Sequence, residues 1–104
     1  MSAPEAKVIA LYTSVSMDKA VSSNWDRLEN ALNALETEVM TTKVLKIDGR
    51  EEENHAIRNA LWEIAGCRSY PQLFVDGKLV AQANFDELQH MIDSGELRKL
   101  LADY

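Results

Sequence analysis

Apolar residues along this chain follow two different periods, which predict strands and helices in alternation. Nearly continuous apolar runs at 7–13 and 44–48 are typical of strands that are covered on both faces of a sheet. Between 19 and 38, apolar residues recur at every third or fourth position, with polar residues between them. This period predicts an amphipathic helix, and Trp25 is its expected anchor in the core.

A second helix is predicted to open at Glu51 and to end at Gly66. Three successive glutamates at its start complement the positive end of the helix dipole. Glycine at its end tolerates the left-handed backbone that commonly follows a helix. We expect this helix to bury a stripe made of Ile57, Leu61 and Ile64.

The second half of the chain predicts a hairpin and then further helix. Two short apolar runs, 72–76 and 78–81, flank the pair Asp76-Gly77. Such a pair favours a two-residue type I′ turn, because both central positions need a positive φ. Beyond the hairpin we predict a helix cap at Asn84, a helix at 85–92 and a short extra helix at 96–101.

The predicted order of elements is therefore βαβαββα, with a C-terminal helix added. A strand-helix-strand unit in one sheet is parallel and crosses over in the right-handed sense. The hairpin makes the last two strands antiparallel to each other. We therefore predict one α/β domain over 7–104, with a four-stranded mixed sheet between two layers of helices, and a disordered N-terminus at 1–6.

Composition narrows the range of functions. The 104 residues carry a net charge of −6, and the 11 basic residues are scattered, so no nucleic-acid partner is expected. No apolar run is long enough for a membrane span, and we expect no membrane insertion. The first seven residues lack the pattern of a signal peptide, and a single cysteine fits a reducing compartment. These features predict a cytoplasmic protein.

Pro71 stands directly before the third predicted strand, where a proline removes one donor from the sheet. Two interpretations are open at this point. A trans proline could begin the strand, or the Tyr70–Pro71 bond could be cis. The pattern alone favours trans, because only roughly 5–6% of bonds before proline in folded proteins are cis.

The order of elements, with a proline before the third strand, resembles the thioredoxin fold, and the segment 66–78 is similar to glutaredoxins. In that family a helix ends in glycine, two residues follow, and a Thr-Val-Pro loop leads into a strand that ends in Asn-Gly or a similar pair. This chain has Gly66, Ser69-Tyr70-Pro71 and Asp76-Gly77 at those places. The resemblance implies a thioredoxin-like fold and a cis bond before Pro71.

The similarity ends where glutaredoxins carry their chemistry. That family places Cys-x-x-Cys, or one cysteine, between the first strand and the first helix, whereas this chain has the thiol-free segment Ser14–Ala20. Disulfide exchange needs a thiolate, which neither a serine hydroxyl nor the Met17 thioether can replace. The family's Gly-Gly-x-x-Asp segment is matched only by Asp86, without the glycines. We therefore expect no catalytic residue and no enzyme activity.

A glutaredoxin-like domain without redox cysteines and with an acidic balance resembles the SH3-domain-binding glutamic-acid-rich-like proteins. The resemblance implies a non-catalytic binding or adaptor module that acts through protein partners and needs no cofactor. Weak glutathione binding and a homodimer are left open. The two prolines, Pro4 and Pro71, form no P-x-x-P segment, so the sequence does not predict binding to an SH3 domain. The expected groove for a ligand or partner consists of Ser14, Ser16, Met17, Tyr70, Pro71, Gln72 and Asp86.

Cys67 is the only thiol, and it leaves two alternatives. Cys67 is a candidate redox-sensitive thiol, because the positive charge of the neighbouring Arg68 favours the thiolate. A reactive Cys67 would make the protein responsive to glutathione. The more common role is that of a cysteine filling a half-buried gap at a helix end. A structural subunit of a larger assembly is the other alternative function. His55 and His90 have no metal-ligand spacing, so no metal site is predicted.

Overall fold

The computed structural model describes residues 7–81 and 85–104, so the predicted disorder at 1–6 and the predicted cap at Asn84 lie outside the described residues. Within these ranges no helix is both long and apolar enough to cross a membrane. A short 3-10 turn, Glu52–Asn54, precedes the second helix. The strands are β1 (Val8–Tyr12), β2 (Leu45–Asp48), β3 (Gln72–Val75) and β4 (Lys78–Ala81), and the helices are α1 (Lys19–Glu38), α2 (His55–Ala65), α3 (Phe85–Asp93) and α4 (Glu96–Leu101).

The four strands form one mixed sheet in the order β2-β1-β3-β4, which confirms the predicted architecture. β1 runs parallel to β2 and antiparallel to β3, and β3 runs antiparallel to β4. At the end of β1, Tyr12 pairs with Asp48 and Leu11 pairs with Gln72. The end of β2, the end of β1 and the start of β3 therefore lie side by side at one edge of the sheet.

Side chains of β1 alternate between the two faces of the sheet, and each face has its own core. Val8 and Ala10 belong to the core beneath α1 and α4, whereas Ile9 and Leu11 belong to the core beneath α2. Phe74 is fully buried in the α2 core. Helices cover both faces, which explains why β1 is apolar at successive positions rather than at alternate ones.

Two turns have the backbone that their residue types predict. Gly66 follows α2 with φ 76°, which is the expected left-handed end of that helix. In the hairpin, Asp76 has φ 50° and Gly77 has φ 77°, so both central positions of the turn are positive, as the predicted type I′ turn requires.

The buried face of α2 differs from the prediction. Leu61 is 1% exposed, as expected, but Ile64 is 44% exposed. Trp62 and Ala65 pack against the α2 core together with Ile57, so the buried arc is rotated toward Trp62 and leaves Ile64 at its outer edge. The prediction for Ile64 was wrong because three apolar residues at helical spacing do not show which side an adjacent tryptophan will take.

We expect Leu61→Ala to lower the free energy of unfolding by about 2–5 kcal/mol, because it opens a cavity in the α2 core. Ile64→Ala removes a similar side chain from the surface and should cost below about 1 kcal/mol. Urea unfolding followed by far-ultraviolet circular dichroism measures both values. Equal losses for the two variants would show that this description of the α2 face is incorrect.

Candidate functional site

The segment that joins β1 to α1, residues 13–18, is shaped by its own hydrogen bonds. Thr13 Oγ1 donates to the carbonyl of Val15 at 3.0 Å, and the Asp18 N–H donates to Ser16 Oγ at 3.1 Å. The Asp18 carboxylate accepts from the Ala20 N–H at 2.9 Å and caps α1. The polar groups of the segment are thus used to close the turn and to begin the helix.

Apolar side chains of the same segment lie on the surface. Met17 is fully exposed, and Val15 is 57% exposed. Ser14 is also exposed, and its backbone N–H donates to Asp48 Oδ1 at 3.1 Å. The segment therefore presents two apolar side chains to solvent while its backbone is attached to the end of β2.

Asp48, at the end of β2, accepts hydrogen bonds from three neighbouring segments of the chain. Its Oδ1 accepts from the backbone N–H of Ser14 at 3.1 Å and of Arg50 at 3.0 Å. Its carbonyl accepts from Asn54 Nδ2 at 3.1 Å. Burial on its own would raise the pKa of Asp48, but the hydrogen bonds from Ser14 and Arg50 outweigh it and lower the pKa below its ordinary value. We call this set of contacts the Asp48 junction.

The Tyr70 ring lies directly over Gly49, the residue that follows Asp48. A Cβ on Gly49 would lie 2.7 Å from Tyr70 Cε1, so a larger residue there would have to displace the ring. Trp62 contacts the ring in a tilted arrangement, with the ring centroids 5.4 Å apart. Arg58 lies 4.6 Å from the centroid of the Trp62 ring and donates to the Gly49 carbonyl at 3.4 Å. Burial raises the pKa of Tyr70, and the charge of Arg58 opposes that rise.

The loop between α2 and β3 turns around a cis bond. The Tyr70–Pro71 peptide is cis, as the resemblance implied, and Pro71 is buried. The Gln72 side chain is fully buried, and its Nε2 donates to the Cys67 carbonyl at 3.3 Å and to Ser69 Oγ at 3.1 Å. The Gln72 amide therefore braces the loop from inside the protein.

The predicted groove residues are placed unequally by these contacts. The Ser14 N–H donates to Asp48, and the Tyr70 ring lies over Gly49, the residue after Asp48. Ser14 and Tyr70 therefore lie at the same edge of the sheet. Gln72 turns its side chain inward, and Asp86 is exposed in the first turn of α3. The groove itself stays a prediction.

Sequence reasoning gave no role to four residues that organise this region, which are Asp48, Gly49, Arg58 and Trp62. The signal for Asp48 and Gly49 was a polar residue and a glycine at the end of a strand beside β1. Arg58 and Trp62 were interpreted only as part of a helix. Within 7–81 and 85–104, no three histidine, cysteine or acidic side chains are arranged to hold a metal ion.

Comparison with known proteins decides the family. The sequence pattern of glutaredoxins matches residues 28–80, which is half of the chain. The chain belongs to the glutaredoxin family. The match begins inside α1, after the segment 13–18. The family is therefore shown by the part of the domain that holds β2, α2 and the cis-proline loop.

Two curated glutaredoxins are similar to this chain. Glutaredoxin-C4 of Arabidopsis thaliana is 41% identical over 58 residues, which is 56% of this chain and 41% of that protein. Glutaredoxin-1 of Saccharomyces cerevisiae is 36% identical over 74 residues, which is 68% of this chain and 66% of that protein. The matched parts thus span less than two thirds of either relative.

Solved glutaredoxins have the same fold. The holo form of glutaredoxin C1 from Populus tremula x tremuloides superposes with a TM-score of 0.65 at 17% identity, over 94% of this chain and 85% of that one. Oxidised glutaredoxin 2 from Chlamydomonas reinhardtii gives a TM-score of 0.55 at 26% identity, over 93% of this chain and 80% of that one. The thioredoxin-like fold predicted from the order of elements is thereby confirmed.

We expect Gly49→Ala to lower the free energy of unfolding by roughly 1–3 kcal/mol, because the new methyl group would displace the Tyr70 ring. The loss should be much smaller in a Tyr70→Ala background, where the ring is absent. Chemical unfolding of both single variants and the double variant measures this coupling. An equal cost of Gly49→Ala in both backgrounds would mean that contact with Tyr70 is not its cause.

The lowered pKa of Asp48 predicts a pH dependence with a definite sign. A carboxyl with a depressed folded-state pKa contributes stability above its unfolded value of 3.8, and that contribution is lost as the pH falls through the folded value. Asp48→Asn should therefore destabilise the protein more at about pH 6 than at about pH 3. Asp26→Asn, at an exposed position of α1, controls for the loss of one negative charge, and an equal response of the two variants would contradict this role of Asp48.

Proposed function

We propose that this glutaredoxin-family chain is a non-catalytic binding module that acts through protein partners and does not carry out thiol-disulfide exchange. The observation that carries the proposal is the composition of segment 13–18, which holds hydroxyls, a thioether and a carboxylate at the start of α1 but no thiol. The proposal includes a cytoplasmic location, which the single cysteine and the acidic composition support.

The start of α1 has an arrangement that would serve a thiolate well, but another group occupies it. A cysteine at a helix start is activated by the backbone N–H groups and the dipole of the helix. Here the Ala20 N–H is bound to the Asp18 carboxylate and the Asp18 N–H is bound to Ser16 Oγ. A hydroxyl is neither a nucleophile nor a leaving group for disulfide exchange at neutral pH, so the same geometry only caps the helix.

Exposed apolar side chains on this segment support a protein partner. Met17 is fully exposed and Val15 is 57% exposed, beside a turn that is fixed at both ends by Asp18 and the Asp48 junction. Methionine is enriched in interfaces and adapts its shape to a partner. The similarity to the SH3-domain-binding glutamic-acid-rich-like proteins supports the same function, and protein contact rather than chemistry would then be the role of this edge of the sheet.

We expect the wild-type protein to leave a mixed disulfide of glutathione unreduced, at the rate of the reaction without protein. In a Cys67→Ser background, Ser16→Cys should raise that rate at least about tenfold over Ser22→Cys, because only at position 16 does a backbone N–H, that of Asp18, already donate to the side chain ahead of the helix start. Ser22 is an exposed serine within α1 and provides the control. Enzyme-coupled measurement of glutathione release gives the rates.

Two results would contradict the proposal. Reduction of the mixed disulfide by the wild-type protein well above background would show that the chain is an enzyme. Saturable shifts of backbone amide resonances with millimolar glutathione, confined to 14–17 and 70–72, would show that this edge binds a metabolite rather than a protein.

A further inference from the structure

β2 is an outer strand of the sheet, and its outer side faces no other strand. The strand order β2-β1-β3-β4 places nothing beyond β2 among the residues that the structure describes. The peptide groups of a strand point alternately to its two sides, so every second residue of an outer strand turns its N–H and C=O away from the sheet. A row of such unpaired groups is a template on which another strand can pair. The outer side of β2 is therefore a candidate interface.

The pairing with β1 shows which residues of β2 face outward. The Gly49 N–H donates to the Tyr12 carbonyl at 2.7 Å, and Tyr12 pairs with Asp48 in the parallel register of the two strands. Residues 45, 47 and 49 therefore turn their peptide groups toward β1. Residues 44, 46 and 48 turn theirs outward.

Two of the six outward peptide groups are bound within the chain, and four are left. The Val44 N–H donates to Glu36 Oε2 at 3.1 Å, and the Asp48 carbonyl accepts from Asn54 Nδ2 at 3.1 Å. The groups without a hydrogen-bond partner in the described parts of the chain are the Lys46 N–H, the Lys46 carbonyl, the Asp48 N–H and the Val44 carbonyl. The edge thus offers two donors and two acceptors.

These four groups are complementary to the same four groups of a second copy. In an antiparallel pairing with its two-fold axis at Lys46, each Lys46 N–H meets the Lys46 carbonyl of the other copy. Each Asp48 N–H meets the Val44 carbonyl of the other copy, so all four groups gain a partner. A register moved by two residues in either direction places free groups opposite bound ones and leaves only two of these hydrogen bonds. The pattern of free groups therefore selects one register.

The side chains of β2 suit the same register. Lysine commonly guards an open edge, but Lys46 Nζ lies 3.5 Å from Glu29 Oε2 and donates to Asn33 Oδ1 at 2.8 Å, so this side chain is turned back onto α1. Leu45 is 38% exposed and lies opposite Ile47 of the second copy in this register. The pairing therefore covers an apolar side chain. The two Lys46 charges that meet at the axis are each balanced by a Glu29 carboxylate.

We propose that two copies of this chain associate through β2, in an antiparallel pairing about Lys46 that joins their two four-stranded sheets into one. This interface does not depend on the proposed function and leaves segment 13–18 available to other partners. An edge of four residues buries less than the roughly 1,200 Å² of a stable interface, so the dimer is weak. We expect a dissociation constant of about 0.1–1 mM.

Amide hydrogen exchange of the wild-type chain, measured by NMR well below and well above that dissociation constant, tests the interface without any substitution. The Lys46 and Asp48 amides should exchange at least about twofold more slowly at the higher concentration, because pairing protects them. The Leu45 and Ile47 amides already face β1 and should exchange at the same rate at both concentrations. Lys46 and Asp48 amides that do not respond to concentration, or a response confined to the other outer strand, β4, would overturn the proposal.

Two matched substitutions separate this interface from nonspecific association. Leu45→Asp should raise the dissociation constant at least about tenfold, because it places a carboxylate against Ile47 of the second copy. Ile64→Asp makes the same kind of change at an apolar residue of α2 that is 44% exposed, and should leave the constant within about twofold. Sedimentation equilibrium gives the constants, and circular dichroism shows that both variants are folded. Equal effects of the two substitutions would refute β2 as the interface.

Disulfide formation tests the register. In a Cys67→Ser background, Lys46→Cys places two thiols directly opposite each other, at a Cα separation of about 5.5 Å that a disulfide can bridge. Lys43→Cys, at an exposed position before β2, keeps its two copies roughly 20 Å apart in the same register. In a glutathione redox buffer, Lys46→Cys should form linked dimers at least about tenfold faster than Lys43→Cys. Equal rates would exclude pairing centred on Lys46.

Discussion

The hydrogen bonds that Asp48 accepts hold together the edge of the sheet at which β1 and β2 end. Parallel pairing places the end of β2 beside the end of β1, and this brings one carboxylate within reach of both the segment after β1 and the turn after β2. Without that carboxylate the Ser14 N–H would lose its partner. The lowered pKa of Asp48 is the electrostatic expression of the same contacts, because they favour the charged form.

A second constraint acts at the residue after Asp48, because the ring of Tyr70 packs closely against Gly49. Tyr70 covers Gly49, and Trp62 and Arg58 pack around the ring from α2. The cis-proline loop is thereby fixed against the end of β2 as well as against its own helix. This contact depends on a missing Cβ in one segment and a large side chain in another, 21 positions apart by their numbers in the chain.

Much of the fold could be predicted from the sequence because the signals were local. Hydrophobic period distinguished strands from helices, and Asp76-Gly77 and Gly66 marked turns by the positive φ that they adopt. Ile64 was placed wrongly, since the rotation of α2 is decided by the packing of Trp62 against Tyr70, which is a tertiary contact. For the same reason the role of Gly49 could not be seen, because no local pattern shows which ring a glycine admits.

Hydrogen-bond donors are used differently at the start of α1 and around Cys67. At the start of α1 the Ala20 N–H is bound to Asp18 and the Asp18 N–H is bound to Ser16, and the Val15 and Met17 side chains are exposed beside them. Around Cys67 the Gln72 Nε2 group donates to the sulfur, and the Ser69 hydroxyl contacts it as well. Because the Gln72 amide is buried and braces the cis-proline loop, a change at Cys67 would be felt first in that loop, which is also the part of the chain that packs over Gly49.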